Sequence, residues 1–422
     1  MSIQSEAERI IGEVSAQQAL IAQISAVLDG KAGGGTAAPV EEKDVNFWDY
    51  DGTLLHSYTL AEAQAMTELP PLPTREGLIC QGWNWTLANI QALSEDSIGA
   101  DIGAVYITED GKTHCYLEIT DDNNRSVTMN FTGTIDIDWG DGTTDGGVTS
   151  PASHTYAETG LYVIKLYSAS FYNIGGGANV PFMSGFDMAK LVRIHLSGNA
   201  KLHSSGHALR EQRALEAVTL ADSQIYTQGL ANCTRLRSIV LNNTYAVGVS
   251  GLSGCASLSV VSLKYNGTSQ SQGCRDCFSL RRLAAGDAPY FGDGNHFQNN
   301  RSLQEAQVKA LQRYMFHTCQ SLRKVIMAEG STSVGGYSLY NCSSLSSLTI
   351  PSTVTTIGAQ ALMYCIGLCK LRFKSTTPPT VANANAFTGI PTDCIVEVPA
   401  ASLEAYQNAT NYSGIAAQMI GV

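Results

Sequence analysis

The sequence is short of charge: only 15% of its 422 residues are Asp, Glu, Lys or Arg, against about a quarter in an ordinary soluble domain. Basic residues number 26 against 37 acidic ones, the net charge is -11, and the lysines and arginines nowhere cluster. A surface of that kind offers little to a phosphate backbone or an anionic bilayer, so no nucleic-acid partner is expected. No run of about 18 apolar residues occurs, which excludes a helical membrane span. The stretch "MSIQSEAERIIGEV" has no basic segment followed by an apolar one, and "AAQMIGV" carries no wall-sorting pattern. The expectation is a chain without membrane insertion or leader, made in a host cytoplasm and released by lysis or as part of a particle.

Catalytic signatures are missing as well. "GKT" at 111–113 lacks the P-loop glycine, since position 106 is Tyr, and no G-x-S-x-G elbow is present. Cys274 and Cys277 form a C-x-x-C with no second pair at zinc-ribbon spacing, and His203 and His207 flank "SSG" with no glutamate after the first. Neither an enzyme, a cofactor nor a metal is expected.

What is present falls into segments. In residues 1–30, Ile3, Ile10, Gln17 and Ile24 recur every seven residues, as do Ala7, Val14, Ile21 and Leu28, four positions out of phase. That a/d pattern predicts a coiled-coil helix roughly 39 Å long. Isoleucine at both seam positions leans towards a homotrimer, with Gln17 fixing the register. The alternative, a helix packed on its own domain, is disfavoured by the glycine-rich tether that fills residues 31–43.

Residues 44–103 read as a small α+β module. Thr59 with Glu62 makes a capping box, Thr86 caps a second helix, and Asp51-Gly52 suits a two-residue type I′ turn between "VNFWDY" and "TLLHSY". Residues 104–170 alternate as strands do in "AVYIT", "HCYLEIT", "TIDIDW" and "YVIKLYS", predicting a small β-sandwich. Residues 171–186 read as a linker.

From 187 to 422 an internal repeat takes over. Segments L-x-x-h-x-h start at Leu191, Leu215, Leu236, Leu258, Leu280, Leu303, Leu322, Leu345 and Leu368, at leucine-rich-repeat spacing. Cys233, Cys255, Cys277, Cys319, Cys342 and Cys365 each precede such a leucine by three, and Asn300 stands at the matching place before Leu303. Residues that keep the period of a solenoid stack between coils, so these thiols read as an interior ladder. The fold class expected is thus mainly β and multidomain, ending in a leucine-rich-repeat solenoid.

Four family likenesses attach to these residues. "DYDGTL" resembles the opening motif of haloacid-dehalogenase-like phosphatases, which would make Asp49 a nucleophile, but no Rossmann-like series follows to hold the other groups. Asn46 also interrupts the preceding strand, so the hairpin reading is preferred. "IDIDWGDGTTDGGVTSPASHTYAETGLYVIKLYS" resembles the PKD domain, an immunoglobulin-like spacer or adhesive module. Its Asp136, Asp138, Asp141 and Asp145 have the chemistry for calcium, although turn and strand-edge duty is the stronger reading. "CSSLSSLTIPSTVTTIGAQALMYCIGLCKLRF" and "FTGIPTDCIVEVPAASLEAYQNATNYSGIA" are similar to the BspA-type leucine-rich repeat, whose members are often bacterial surface proteins that bind host components. The N-terminal heptads with "VNFWDYDGTLLHSYTLAEAQAMTELPPLPTREGLICQGWNWTLA" are similar to a module of phage and prophage tail-associated proteins of gut bacteria.

These likenesses imply a phage or prophage tail-fibre or tail-tip receptor-binding protein, located in the virion tail. It would be trimerised by Ile3, Ile10, Val14, Gln17, Ile21, Ile24 and Leu28, joined to tail or baseplate proteins, and would read a bacterial surface glycan or protein. The alternative is a BspA-like adhesin on a bacterial cell surface. Loops such as "ADSQIYTQG" and "KYNGTSQSQG" are rich in Tyr, Ser, Asn and Gly, the composition of adaptable contact surfaces. Candidate ligand contacts there are Tyr226, Tyr245, Tyr265, Tyr290 and Phe291. On the sheet face Arg193, His195, Arg282 and Lys324 join them, beside the outward positions Thr219, Ser262, Glu305, Gln307 and Arg372.

Overall fold

The computed structural model describes residues 42–177, 180–220, 223–242, 245–263, 268–269, 272–284, 290–291 and 294–422. The heptad positions Ile3 to Leu28, the tether up to residue 41 and Tyr265 lie outside them.

The first module runs β1 (Val45–Trp48), β2 (Leu54–Tyr58), α1 (Leu60–Gln64), β3 (Leu78–Trp83), α2 (Leu87–Gln91) and β4 (Ala100–Thr108). Its sheet has the order β2-β1-β4-β3, with β1 and β4 parallel. Both helices start at the predicted caps: Thr59 with Glu62, and Thr86 with Asn89, form capping boxes. Val45, Phe47, Ala63, Trp85, Ile90 and Ile102 form the core beneath them.

The structure corrects two details of the hairpin. Pairing ends at Trp48–Leu54 after a bulge at Phe47/Trp48, so residues 49–53 form the loop rather than two residues in a type I′ turn. A type I′ turn needs two residues at positive φ, and in this loop only Gly52 has one, at 87°. Asn46, expected to spoil a doubly covered strand, is fully buried in β1. Its side-chain amide donates to the Lys43 carbonyl (3.2 Å) and the Asp101 carboxylate (3.3 Å), and its oxygen accepts from Ser57. A satisfied amide is tolerated where an orphaned one is not.

The next strands are β5 (Thr113–Ile119), β6 (Ser126–Met129), β7 (Phe131–Thr132), β8 (Thr134–Asp138), β9 (Thr144–Thr149), β10 (Ala152–Thr155), β11 (Gly160–Tyr167) and β12 (Tyr172–Ile174). Strands β5, β11, β8 and β9 share one sheet, β6 pairs with β10, and β7 pairs with β12. The segments around Trp139 and around His154 to Tyr156 meet in space. Trp139 is buried and stacks on His154 at 4.7 Å, while the Tyr156 hydroxyl donates to the Trp139 carbonyl at 3.0 Å. The expected linker 171–186 is instead built into the body. Tyr172, Ile174, Phe182 and Met183 are buried in the main core, and β12 pairs with β7 on one side and β14 on the other.

The solenoid strands that follow are β13 (Leu191–His195), β14 (Ala200–Leu202), β15 (Ala217–Thr219), β16 (Ser238–Val240), β17 (Tyr245–Val247) and β18 (Val260–Ser262). Then come β19 (Thr268–Ser269), β20 (Arg282–Leu283), β21 (Tyr290–Phe291), β22 (Glu305–Val308), β23 (Lys324–Met327) and β24 (Ser333–Val334). The last are β25 (Ser347–Ile350), β26 (Thr356–Ile357), β27 (Lys370–Phe373), β28 (Thr380–Val381), β29 (Ile395–Val398) and β30 (Met419–Gly421). Each of the nine repeat leucines heads a sheet-face strand, and β29 and β30 extend the series beyond the leucine register. The shorter strands line the opposite flank in parallel sets β17-β19-β21 and β24-β26-β28. β5 pairs antiparallel with β13, which pairs parallel with β15, so the sheet passes from the middle region into the solenoid over one continuous core.

The cysteine ladder is built as the period implies, with a polar function added. Each thiol donates to the carbonyl of a residue in the preceding coil: Cys233 to Leu209 (3.0 Å), Cys255 to Leu230 (3.1 Å), Cys277 to Leu252 (3.2 Å) and Cys319 to Phe297 (3.0 Å). Cys342 and Cys365 continue it. Burial pushes the thiols up, to about 12 for Cys255 and Cys365. At the vacant step, Asn300 donates to the Cys274 carbonyl (3.0 Å) and accepts from the Cys277 N–H (2.7 Å).

Candidate functional site on the open half of the sheet face

The first module does not sit apart on the chain; it lies on the sheet face of the solenoid. β4 crosses the early coils, and at Gly103 the approach is so close that a Cβ would run into Val240. Asn84 donates to the Leu241 carbonyl (3.1 Å) and the Ser262 hydroxyl (3.0 Å), and the Trp85 indole to the Leu263 carbonyl (2.8 Å). Ser262 donates to the Asp101 carbonyl at 2.7 Å, and the Ser238 hydroxyl donates to the Tyr50 carbonyl. Further along, Gln307 accepts from Ser97 Oγ and from the Ile98 N–H, at 3.1 and 3.0 Å.

This docking decides where the candidate contacts fall. Arg193 is buried between Tyr50 and Tyr116, and His195 is buried against the same two rings, with Nδ1 3.0 Å from the Thr219 hydroxyl. Arg282 donates to the carbonyls of Lys43, Asp44 and Ile98. These three, with Ser262 and Gln307, therefore hold the module instead of facing solvent, and Thr219 is buried against His195. Their polarity at outward strand positions is what made them look like an open surface. Tyr226 is half-buried next to Ile225, which bridges to Val247. Tyr245 and Tyr290 lie on β17 and β21, both in register with Thr268, and Phe291 follows on β21. Glu305 is half-buried on β22.

Lys324 and Arg372 remain exposed, because the module ends before β23. With Lys374 and Thr349 they line a cleft of about 750 Å³, whose near wall is Ser94 and Asp96 from the loop between α2 and β4. Lys374 pairs with Glu329 at 2.7 Å, and Glu397 takes Lys370 at 2.7 Å and Arg372 at 3.7 Å. The cations of all three pairs and Glu329 are exposed, whereas Glu397 is mostly buried, so it is the lysine and arginine ends that are loosely held and exchangeable with a ligand. Lys374, Thr349 and Asp96 were not singled out in the sequence. The first two sit at outward positions of the same repeat register and could have been counted there; Asp96 required knowledge of the docking.

A second cleft of about 750 Å³ opens at the other edge of the module, between the loop residues Asp51 to Thr53 and the turns carrying Arg237, Ser257 and Arg281. Its charges are largely answered internally. Glu216 accepts from Arg235 and, at 3.1 Å, from Arg237. Burial and the nearby Asp101 raise the Glu42 carboxyl against the pull of Arg282 and Arg281.

The carboxylate of the "DYDGTL" stretch is closed off. Asp49 is fully buried, accepts from Arg75 Nε at 2.7 Å and from the Tyr50 N–H at 2.8 Å, and burial raises its pKa despite the Arg75 charge. Asp136, Asp138, Asp141 and Asp145 each accept a local hydrogen bond, from Gly147, Gly140, Thr143 and Trp139 respectively. His203 and His207 turn to different partners, Ser205 and Gln228.

The architecture is that of a leucine-rich-repeat β-solenoid. Residues 293–409 match the family model described as BspA type leucine rich repeat region, in six copies. Among solved structures the chain is similar to a leucine-rich repeat protein from Bacteroides ovatus ATCC 8483, at 15% identity and a TM-score of 0.27, covering 61% of this chain and 96% of that one. No curated protein matches.

Proposed function

We propose that the chain is a non-enzymatic receptor-binding protein, an adhesin of the BspA kind, that takes a bacterial or host surface ligand on the open half of its sheet face. The observation that carries this reading is the cleft beside Lys324, Thr349 and Arg372. It is the part of the outward strand face left uncovered by the docked module, and exchangeable cations stand around it. The PKD-like region then acts as a spacer continuous with the solenoid.

A second form of this reading places the protein on a phage or prophage tail as a homotrimer. The heptads ending at Leu28 favour it, since an a/d seam needs partner helices. Three copies raise avidity through effective concentration, so each cleft need bind only weakly.

The test is a glycan-array and whole-cell binding screen with the full chain and with the double variant Lys324→Glu/Arg372→Glu. At least a tenfold loss of binding in the variant is expected, and undiminished binding sinks the assignment. Sedimentation of the full chain separates the two forms: a monomer at micromolar concentration rules out the trimeric tail protein and leaves the adhesin.

A further inference from the structure

On the flank away from the sheet face, seven coils each make a turn with two residues in the left-handed region, four positions apart, Gly254 being the second of one pair. One column holds His207 (φ 63), Gln228 (52), Ser250 (54), Gln272 (58), Tyr314 (56), Tyr337 (58) and Gln360 (55). The other holds Glu211, Asn232, Asp276, Asn299, Thr318, Asn341 and Tyr364, with φ between 56 and 65°. Inter-coil hydrogen bonds fix the register, such as Tyr314 N–H to the Gly336 carbonyl (3.0 Å) and Tyr337 N–H to that of Ala359 (3.0 Å).

In the early coils these columns are polar ladders: His207 bonds Gln228 at 2.9 Å, Ser250 bonds Gln272 at 3.2 Å, and Asn299 bonds Asp276 at 2.9 Å. Between residues 314 and 364 the chemistry changes to rings. Tyr314 stacks on Tyr337 (centroids 4.7 Å apart, 16° between planes) and His317 on Tyr340 (4.8 Å, 6°), and Tyr364 closes edge-on to Tyr340 at 5.6 Å. The Arg313 guanidinium covers the outer Tyr314 ring at 4.9 Å. The rings are half-buried, and Tyr364 is 41% exposed.

The fold does not require this. A backbone at positive φ disfavours bulky side chains and tolerates Asn, Asp or Gly, and the same columns elsewhere are filled by amides, hydroxyls, two carboxylates and His207. Three tyrosines placed at such positions in adjacent coils, Tyr314 against Tyr337 and Tyr364 joined to them through Tyr340, point to a selected surface.

The surroundings define the ligand. Arg313 stands at the Tyr314 end of the ladder, and from residue 330 to 369 the sequence contains no charged side chain, its polar residues being Gln, Asn, Ser and Thr beside the tyrosines. Tyr314 and Tyr337 cover each other's inner faces and Arg313 the outer face of Tyr314, so the ladder presents ring edges and hydroxyls beside neutral amides. That suits an uncharged polyhydroxyl chain held by edge contacts and hydrogen bonds. The coil rise of about 4.8 Å matches the advance of one pyranose unit. We infer that the Tyr314–Tyr337–Tyr340–Tyr364 ladder is a binding platform for a neutral linear polysaccharide. It goes beyond the sheet-face cleft and stands independently of it.

The test is affinity gel electrophoresis of the full chain through three soluble neutral polysaccharides, a β-glucan, an α-mannan and a xylan, with heparin as the anionic control. The variant is Tyr314→Gln/Tyr337→Gln/Tyr364→Asn, which restores residue types that other coils already carry in these columns. Retardation by at least one neutral polymer is expected. It should fall at least tenfold in the triple variant at an unchanged or raised melting temperature, and persist in Lys324→Glu/Arg372→Glu. No retardation by any of the three, or retardation that survives the triple substitution, overturns the proposal. So does binding confined to heparin or to a polyproline peptide run in parallel. Loss of retardation in the charge variant alone assigns binding to the sheet-face cleft and also overturns it.

Discussion

The Arg193 guanidinium lies 5.6 Å from the centre of the Tyr50 ring and donates to the Tyr50 hydroxyl at 3.2 Å. Tyr50 belongs to the hairpin module and Arg193 to the first strand of the solenoid, so one cation joins parts of the chain 143 residues apart. A desolvated cation–π contact is worth about 2 kcal/mol and a buried hydrogen bond about 1 kcal/mol. Arg193→Ala is expected to destabilise the docked module by about 3 kcal/mol, read as a lower urea midpoint or an earlier proteolytic cut between residues 44 and 108.

His195 gives this interface a pH dependence. Burial and the Arg193 charge hold its pKa well below 6.5, and Tyr50, Tyr116 and His114 are the other titratable groups around it. The unfolded chain, with an ordinary histidine near 6.5, takes up the proton first. Stability contributed by neutral His195 is therefore complete above pH about 6.5 and declines as pH falls below it, by up to about 1.4 kcal/mol per unit. Denaturant titrations at pH 7.5 and 5.5 should show the loss, and His195→Gln should make the slope shallower. An identical slope in the variant would show that other groups set the dependence.

The close approach at Gly103 makes a reciprocal pair. Gly103→Ala is expected to lift β4 from the solenoid because the new Cβ meets Val240, costing about 1–3 kcal/mol as overpacking does. Val240→Ala in the same chain should recover most of that loss, and a double-mutant cycle measures the coupling.

Asn300 replaces a thiol in the ladder and answers two buried backbone groups where a cysteine answers one. Asn300→Ala is expected to cost about 2–4 kcal/mol, since each orphaned group costs about 1–3 kcal/mol. Asn300→Cys should cost less, because the thiol can still reach a carbonyl. Thermal unfolding of the two variants ranks them, and equal loss would refute the account.

The repeat was legible because its signal is local and periodic: a leucine heading each strand and a cysteine three residues earlier at six coils. The caps at Thr59 and Thr86 were legible for the same reason. The docking was not, because Asn84 meets Ser262 and Ser97 meets Gln307 across about two hundred residues of chain. At the outward positions, a polar residue facing solvent and one facing another part of the chain look alike. A partial signal exists in the middle coils, which carry Ala217, Ser238, Val240, Val260 and Ser262 there, small or β-branched, whereas the open coils carry Lys324, Lys370 and Arg372. It fails at the ends of the covered stretch, where Arg193 and the Arg282 side chain are covered, and at the open Ser347 and Thr349, so size and charge alone do not mark the neighbour. Asn46 misled for a related reason: Asp101, the partner that permits its burial, comes from later in the sequence, as Arg75 does for the buried Asp49.

The Arg282 contacts also have a mechanical consequence. The guanidinium grips the carbonyls of Lys43 and Asp44 just ahead of β1, and the module behind it is fastened to coils from Arg193 to Gln307. A pull arriving through the segment that precedes residue 42 meets this grip first and is then shared, in shear, among many fastenings across several turns of the solenoid. Tension at the tether is thus kept from peeling the first coil away.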